Sequence, residues 1–165
     1  MSRPLGLLLL LIACAQRQVT PPASETTGNV GGDGSAIALE RTACFGDCPV
    51  YRISVSPEGL ISYEGRAHVR QLGRASAQIP AERVNALLSE LENAGYFSLA
   101  ARYTSAEPVC GRYSADSPSA ITSVQLGNRS KRIEHDHGCG AVPRALAVLE
   151  QRIDEVLGSA RWTGP

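Results

Sequence analysis

The chain has 165 residues, with sixteen Lys and Arg against sixteen Asp and Glu, and so a formal net charge of zero. That balance excludes a nucleic-acid partner, which would call for a basic surplus or stripe. Hydrophobic residues at 43% and charged residues at 19% exclude a disordered chain and point to one globular domain.

The first pattern is an apolar run from Leu5 to Ala13, preceded by Arg3. It is too short to span a bilayer, which takes roughly 20 residues, but it has the layout of a signal peptide. Leu11-Ile12-Ala13-Cys14 closes the run and resembles the bacterial lipobox. The resemblance implies cleavage before Cys14, whose thiol would carry a diacylglycerol with palmitate-type chains. Each buried CH₂ of such chains contributes about 0.8 kcal/mol to anchoring. Residues 1–13 are therefore expected to be a lipoprotein signal peptide. Ala15 after the cysteine, in place of Asp, resembles the default outer-membrane destination, facing the periplasm.

Residues 14–35 read as a lipid-anchored flexible linker. Pro21-Pro22-Ala23-Ser24 and Gly31-Gly32-Asp33-Gly34-Ser35 offer no periodicity and almost no apolar surface to offset ordering entropy.

Residues 36–158 read as a single α+β domain. Ile37 to Thr42 predicts a short strand, and Val50 to Val55 alternates with Tyr51, Ile53 and Val55 on one side. Ser56-Pro57-Glu58-Gly59 is a turn into a further strand, Leu60 to Val69, which makes a hairpin. Pro80 opens a helix with Val84, Leu87, Leu88 and Leu91 at helical spacing, and Gly95 ends it. Residues 100–118 read as a long ordered loop holding Cys110. Ile121 to Leu126 and Lys131 to His135 predict a second hairpin across Gly127-Asn128, with type II′ chemistry. Pro143 opens a second helix, with Leu146, Leu149, Ile153 and Val156 as its buried stripe. Residues 159–165 read as a tail. The order β-β-β-α-β-β-α predicts an antiparallel sheet of about five strands with two helices packed on one face.

The run Arg41-Thr42-Ala43-Cys44-Phe45-Gly46-Asp47-Cys48-Pro49-Val50-Tyr51 carries a family resemblance. It resembles uncharacterised bacterial lipoprotein and exported domains marked by Arg-Thr-x-Cys-x-Gly-x-Cys-Pro-x-Tyr. The likeness continues through Tyr63-Glu64-Gly65, Gly95-Tyr96-Phe97, Asp116 before Pro118, and the strand with Lys131 and His135. The family implies no activity. Within this likeness Arg41, Asp47, Tyr51 and Asp116 are candidate binding residues.

The cysteines bear on compartment and chemistry. Cys44-x₃-Cys48 has neither the spacing nor the helix N-terminus of a thioredoxin-like motif, so an exported chain favours a disulfide there. The pairing expected is Cys44–Cys48 and Cys110–Cys139: three residues separate the first pair, and the second hairpin returns the chain from Cys110 to Cys139. His135-Asp136-His137-Gly138-Cys139 is the densest ligand-like cluster, with His135 and His137 on one face if the strand continues. They are the candidate metal ligands, with Cys110 or Cys139 as a possible complement, although no metal or other cofactor is expected. His137 to Gly140 could also offer backbone N–H groups to an anion before the second helix, but ordinary loop geometry is the stronger reading. No pair of carboxylates has acid–base spacing and no serine sits in a nucleophile elbow. The reading is a lipid-anchored, non-enzymatic binding or structural module of the bacterial cell envelope, with the membrane and an envelope protein as partners. The alternative is a metal- or thiol-dependent periplasmic enzyme using Cys44, Cys48, His135 and His137.

Overall fold

The computed structural model describes residues 34–164. Residues 1–13, expected as a signal peptide, Cys14 and nearly all of the expected linker lie outside the described residues. Among those described, no helix is long and apolar enough to cross a membrane.

β1 (Ile37–Arg41), β2 (Val50–Val55), β3 (Leu60–Ala67) and β4 (Gly73–Gln78) form an antiparallel meander. α1 (Ala81–Asn93) follows, then a 3₁₀ turn at Tyr96–Ser98 and the two-residue β5 (Arg102–Tyr103). β6 (Ser119–Leu126) and β7 (Arg129–Asp136) make the second hairpin, and α2 (Arg144–Leu157) and α3 (Ala160–Thr163) end the chain. The sheet order is β4-β3-β2-β1-β6-β7-β5.

The α+β class stands, but the sheet has seven strands rather than about five and is mixed rather than antiparallel. β4 escapes a hydrophobicity reading because its inward residues are Ala75 and Ala77, small enough to lie opposite Tyr63 and Ile61. β5 is too short to show a period. It pairs parallel to β7, because the chain leaving α1 runs along that edge in the direction of β7.

The alternation in β2 does place Tyr51, Ile53 and Val55 inward, against Ile37 and Leu39 of β1 and Ile61 and Tyr63 of β3. Val84, Leu87, Leu88 and Leu91 of α1 and Leu146, Leu149, Ile153 and Val156 of α2 share this core. Each such side chain contributes about 1.5–3 kcal/mol by burial. Tyr96, fully buried after α1, satisfies its hydroxyl on Thr122 Oγ1 at 2.7 Å. The first hairpin closes through Gly59 N–H to Ser56 O at 2.9 Å. Gly59 has φ 90°, and a Cβ there would lie 2.0 Å from Ile79 O.

Of the tail expected over 159–165, the described residues 159–164 are part of the fold. Trp162 is buried in α3 and stacks on Tyr63, ring centroids 4.8 Å apart. Its carbonyl accepts from Gln71 N–H at 2.9 Å, tying the chain end to the β3–β4 loop. One tryptophan in a short segment gives no period, so nothing in the sequence pattern marks it as core.

Candidate functional site

Sheet register lines up a polar row. Tyr51, Arg41, Ala120, His135 and Tyr103 are successive partners across β2, β1, β6, β7 and β5. All five belong to the face that α2 covers, at the end of the sheet where the cysteine loops emerge. α2 lays two carboxylates over the row, Glu150 and Asp154. Four residues apart, they occupy one side of the helix.

The first cluster is Arg41, Tyr51 and Asp154. Arg41 donates from Nε (3.0 Å) and Nη2 (2.8 Å) to Asp154 Oδ2, and the Tyr51 hydroxyl donates to Oδ1 at 2.6 Å. Both carboxylate oxygens are engaged. Burial and the Asp154 charge push the Tyr51 hydroxyl well above its ordinary value, so it remains a donor. The set is a closed, charge-matched knot in which each of the three side chains bonds another.

The second cluster is His135, Glu150 and His137. His135 Nδ1 lies 2.7 Å from Glu150 Oε1 and His137 Nε2 lies 3.1 Å from Oε2. The two rings are 4.4 Å apart, and the edge of Tyr103 packs against His135. Glu150 is 1% exposed. Burial pushes its carboxyl up, but the hydrogen bonds and positive character of the two imidazoles outweigh that and hold it below the ordinary carboxylate range. An ionised carboxylate only accepts, so the facing nitrogens, Nδ1 of His135 and Nε2 of His137, are the protonated ones.

Each cluster has a disulfide at its side. Cys44–Cys48 closes the loop between Arg41 and Tyr51, with a Cα–Cα separation of 5.7 Å. Cys110–Cys139 joins the long segment to the loop two residues beyond His137, with Cα atoms 4.7 Å apart. Backbone bonds Ser114 N–H to Gly138 O (2.8 Å), Gly140 N–H to Arg112 O (2.7 Å) and Ala141 N–H to Cys110 O (3.0 Å) strap the same two loops together. The approach is close enough that a Cβ on Gly138 would lie 2.0 Å from Ser114 O.

The sequence-derived candidates therefore divide. Arg41 and Tyr51 meet, His135 and His137 meet, and Asp47 and Asp116 join neither cluster. Asp47 is exposed in the disulfide loop, 3.3 Å from His68 Nδ1. Asp116 takes a left-handed backbone (φ 66°), and its carbonyl accepts from Phe45 N–H. Cys110 and Cys139 are joined to each other and so cannot complete a ligand set with the histidines. Residues 137–140 serve loop geometry rather than an anion. His137 N–H bonds Pro118 O, Gly138 N–H bonds Asp136 Oδ1, Cys139 N–H bonds Asp136 O and Gly140 N–H bonds Arg112 O, so these donors are spent internally.

Sequence reasoning missed Glu150 and Asp154. A signal for Glu150 exists: it lies four residues after Leu146 and three before Ile153, inside the apolar stripe, where a carboxylate needs a buried partner. His135, His137 and Glu150 present three ligand-type atoms within 4.8 Å of one another. The opposite face of the sheet holds an open depression of about 590 Å³ lined by Arg52, Ser54, Ser62, Glu64, Arg74 and Ser76.

Residues 35–157 match the family model described as Domain of unknown function (DUF6438), and the chain belongs to that family. The match begins just before β1 and ends with the last residue of α2, so it takes in both clusters and both disulfides. No curated protein matches the chain.

Proposed function

We propose that this protein is a lipid-anchored, non-enzymatic binding module of the bacterial cell envelope, held through Cys14 on the periplasmic side of the outer membrane. The observation that carries the reading is the cysteine usage. The four cysteines of the domain pair in two disulfides, as suits an oxidising compartment, and the fifth stands apart at the end of the leader. Thiol chemistry at Cys44 and Cys48 loses its nucleophiles to their mutual bond, and Arg41 and Tyr51 are consumed by Asp154. What the domain offers outward is the Cys44–Cys48 loop, with Phe45 89% exposed at its tip and Asp47 beside it. A short disulfide-closed loop loses little freedom when it docks, so an exposed aromatic there is an economical contact for an envelope protein.

Fractionation tests the anchor. Wild-type protein should be in the membrane fraction with acyl mass on Cys14, and Cys14→Ala should yield a soluble or uncleaved form. Wild type in the soluble periplasm without acyl mass overturns the anchor. A photo-crosslinker placed at Phe45 in intact envelopes tests the contact. It should capture a protein that the same group at Val148, exposed on α2, does not. Equal capture at both positions, or at neither, removes the loop from the proposal.

A further inference from the structure

We propose that His135, His137 and Glu150 form a binding site for one borderline divalent transition-metal ion of the Zn²⁺ class. The donor atoms are Nδ1 of His135, Nε2 of His137 and a carboxylate oxygen of Glu150, within 4.8 Å of one another. Two ligands of a tetrahedral zinc, each about 2.0–2.1 Å from the ion, lie about 3.4 Å apart. The nitrogens lie 2.7 Å (His135 Nδ1) and 3.1 Å (His137 Nε2) from the two different oxygens of Glu150, so both nitrogens and one carboxylate oxygen reach the tetrahedral spacing by shifts on the order of 1 Å. Two imidazoles with one carboxylate suit Zn²⁺, Cu²⁺ or Ni²⁺ rather than Ca²⁺ or Mg²⁺, which take oxygen ligands.

Charge argues the same way. Asp154, on the next turn of α2, is paired with the permanent cation Arg41. Glu150 is more deeply buried, yet its hydrogen-bond partners are two imidazoles. A buried carboxylate without a fixed counter-ion is expensive, and a divalent ion supplies the missing positive charge. The site is also built and accessible. His135 and His137 alternate onto one side as β7 runs out, and the Cys110–Cys139 bridge fixes the loop that follows. His135 and Glu150 side chains are 6% and 1% exposed, whereas His137 is 32% exposed. The ion enters past His137, and three protein ligands leave a fourth position for water. Binding requires that each ring nitrogen facing Glu150 give up its proton, to the other ring nitrogen or to water, so affinity falls in acid.

The test uses the full chain, purified in detergent, stripped with chelator and titrated with Zn²⁺ against a chromophoric competitor and with Co²⁺ by absorption. The wild type should take one equivalent of Zn²⁺, with a matching Co²⁺ d–d spectrum and a raised melting temperature. His137→Ala removes a partly exposed ligand and should weaken binding by at least about tenfold, the lower bound for losing even a supporting partner of a metal ligand. Glu150→Gln should weaken it similarly, and His68→Ala, at the chain's remaining histidine, should leave it unchanged. Metal-free melting of each variant separates lost binding from lost folding. Absence of saturable binding by the wild type overturns the site. Binding that survives both His137→Ala and Glu150→Gln does so too, leaving a hydrogen-bonded cluster only.

Discussion

Glu150 and Asp154 sit one turn apart on α2, face the same row of the sheet and anchor the same helix, yet they are opposite solutions to burying a carboxylate. Asp154 meets a guanidinium and a hydroxyl, with side-chain exposures of 17% for Asp154 and 22% for Arg41. Glu150, almost fully buried, meets two imidazoles. The first arrangement holds α2 to β1 and β2 through a permanent guanidinium charge and a hydroxyl. The second holds it to the end of β7 through two ring N–H donors. Each cluster also has its own disulfide: the short loop beside Arg41 and Tyr51, the long one beside His137.

The largest expected effect comes from the disulfide on the Glu150 side. Opening the bridge across roughly 30 residues with Cys110→Ser should destabilise the domain by about 3.6 kcal/mol, against about 2 kcal/mol for Cys48→Ser in a loop of roughly 5. The larger bridge also pins a segment whose own elements are the two-residue β5 and a second 3₁₀ turn at Pro108–Cys110. Urea unfolding of both variants decides the ranking. An equal or reversed order would mean that the backbone straps between residues 110–114 and 138–141, rather than the bridge, hold the long loop.

Breaking the Asp154 knot comes next. Asp154→Ala leaves Arg41 partly buried without its counter-ion and Tyr51 without its acceptor. Removing one partner of such a pair costs about 3–5 kcal/mol when fully buried, and the residual exposure here places the expectation near the lower figure. A loss under about 1 kcal/mol in the same urea measurement would show that α2 is held by its apolar stripe alone. Glu150→Gln keeps the shape and one acceptor, so about 2 kcal/mol is expected, the scale of a hydrogen bond to a charged group.

The contrast between the two clusters also explains what the sequence could reveal. Strands β1, β2, β3, β6 and β7 and helices α1 and α2 announce themselves through period: Tyr51, Ile53 and Val55 in one case, Val84, Leu87, Leu88 and Leu91 in another. Arg41, Tyr51, His135 and His137 stand out because polar or ligand-type residues sit at strand ends beside cysteines. The other half of each cluster comes from α2, more than a hundred residues after Arg41 in one case. No local pattern pairs Arg41 with Asp154, since that contact exists only once β1 lies at the centre of the sheet under α2. Glu150 breaks its stripe in a way that can be noticed, but a single misplaced acid on a helix looks like imperfect amphipathicity until its partners are known. β4 and Trp162 fail differently: alanines and a lone tryptophan bury surface without making a period.

The smallest expected effect is a change of slope, and it tests the distinction most directly. Glu150 has a folded-state pKa below its ordinary value of 4.5. Between those two values the unfolded chain binds a proton that the native chain does not, so stability must rise with pH there. The contribution of Glu150 is fully present above about pH 4.5 and is lost as pH falls through the folded value. Glu150→Gln has no such proton. The stability gap between wild type and Glu150→Gln should therefore be level just above pH 4.5 and narrow steadily in acid. Glu58 and Glu90, also held low by hydrogen bonds from Ser56 and Arg152, titrate alike in both proteins and cancel in the difference. Urea midpoints from pH 6 to pH 3 measure the gap. A gap that stays constant into acid would mean that the imidazoles do not hold Glu150 ionised, and Glu150 would then be a buried, neutral hydrogen-bonding group with no claim to differ from its neighbour.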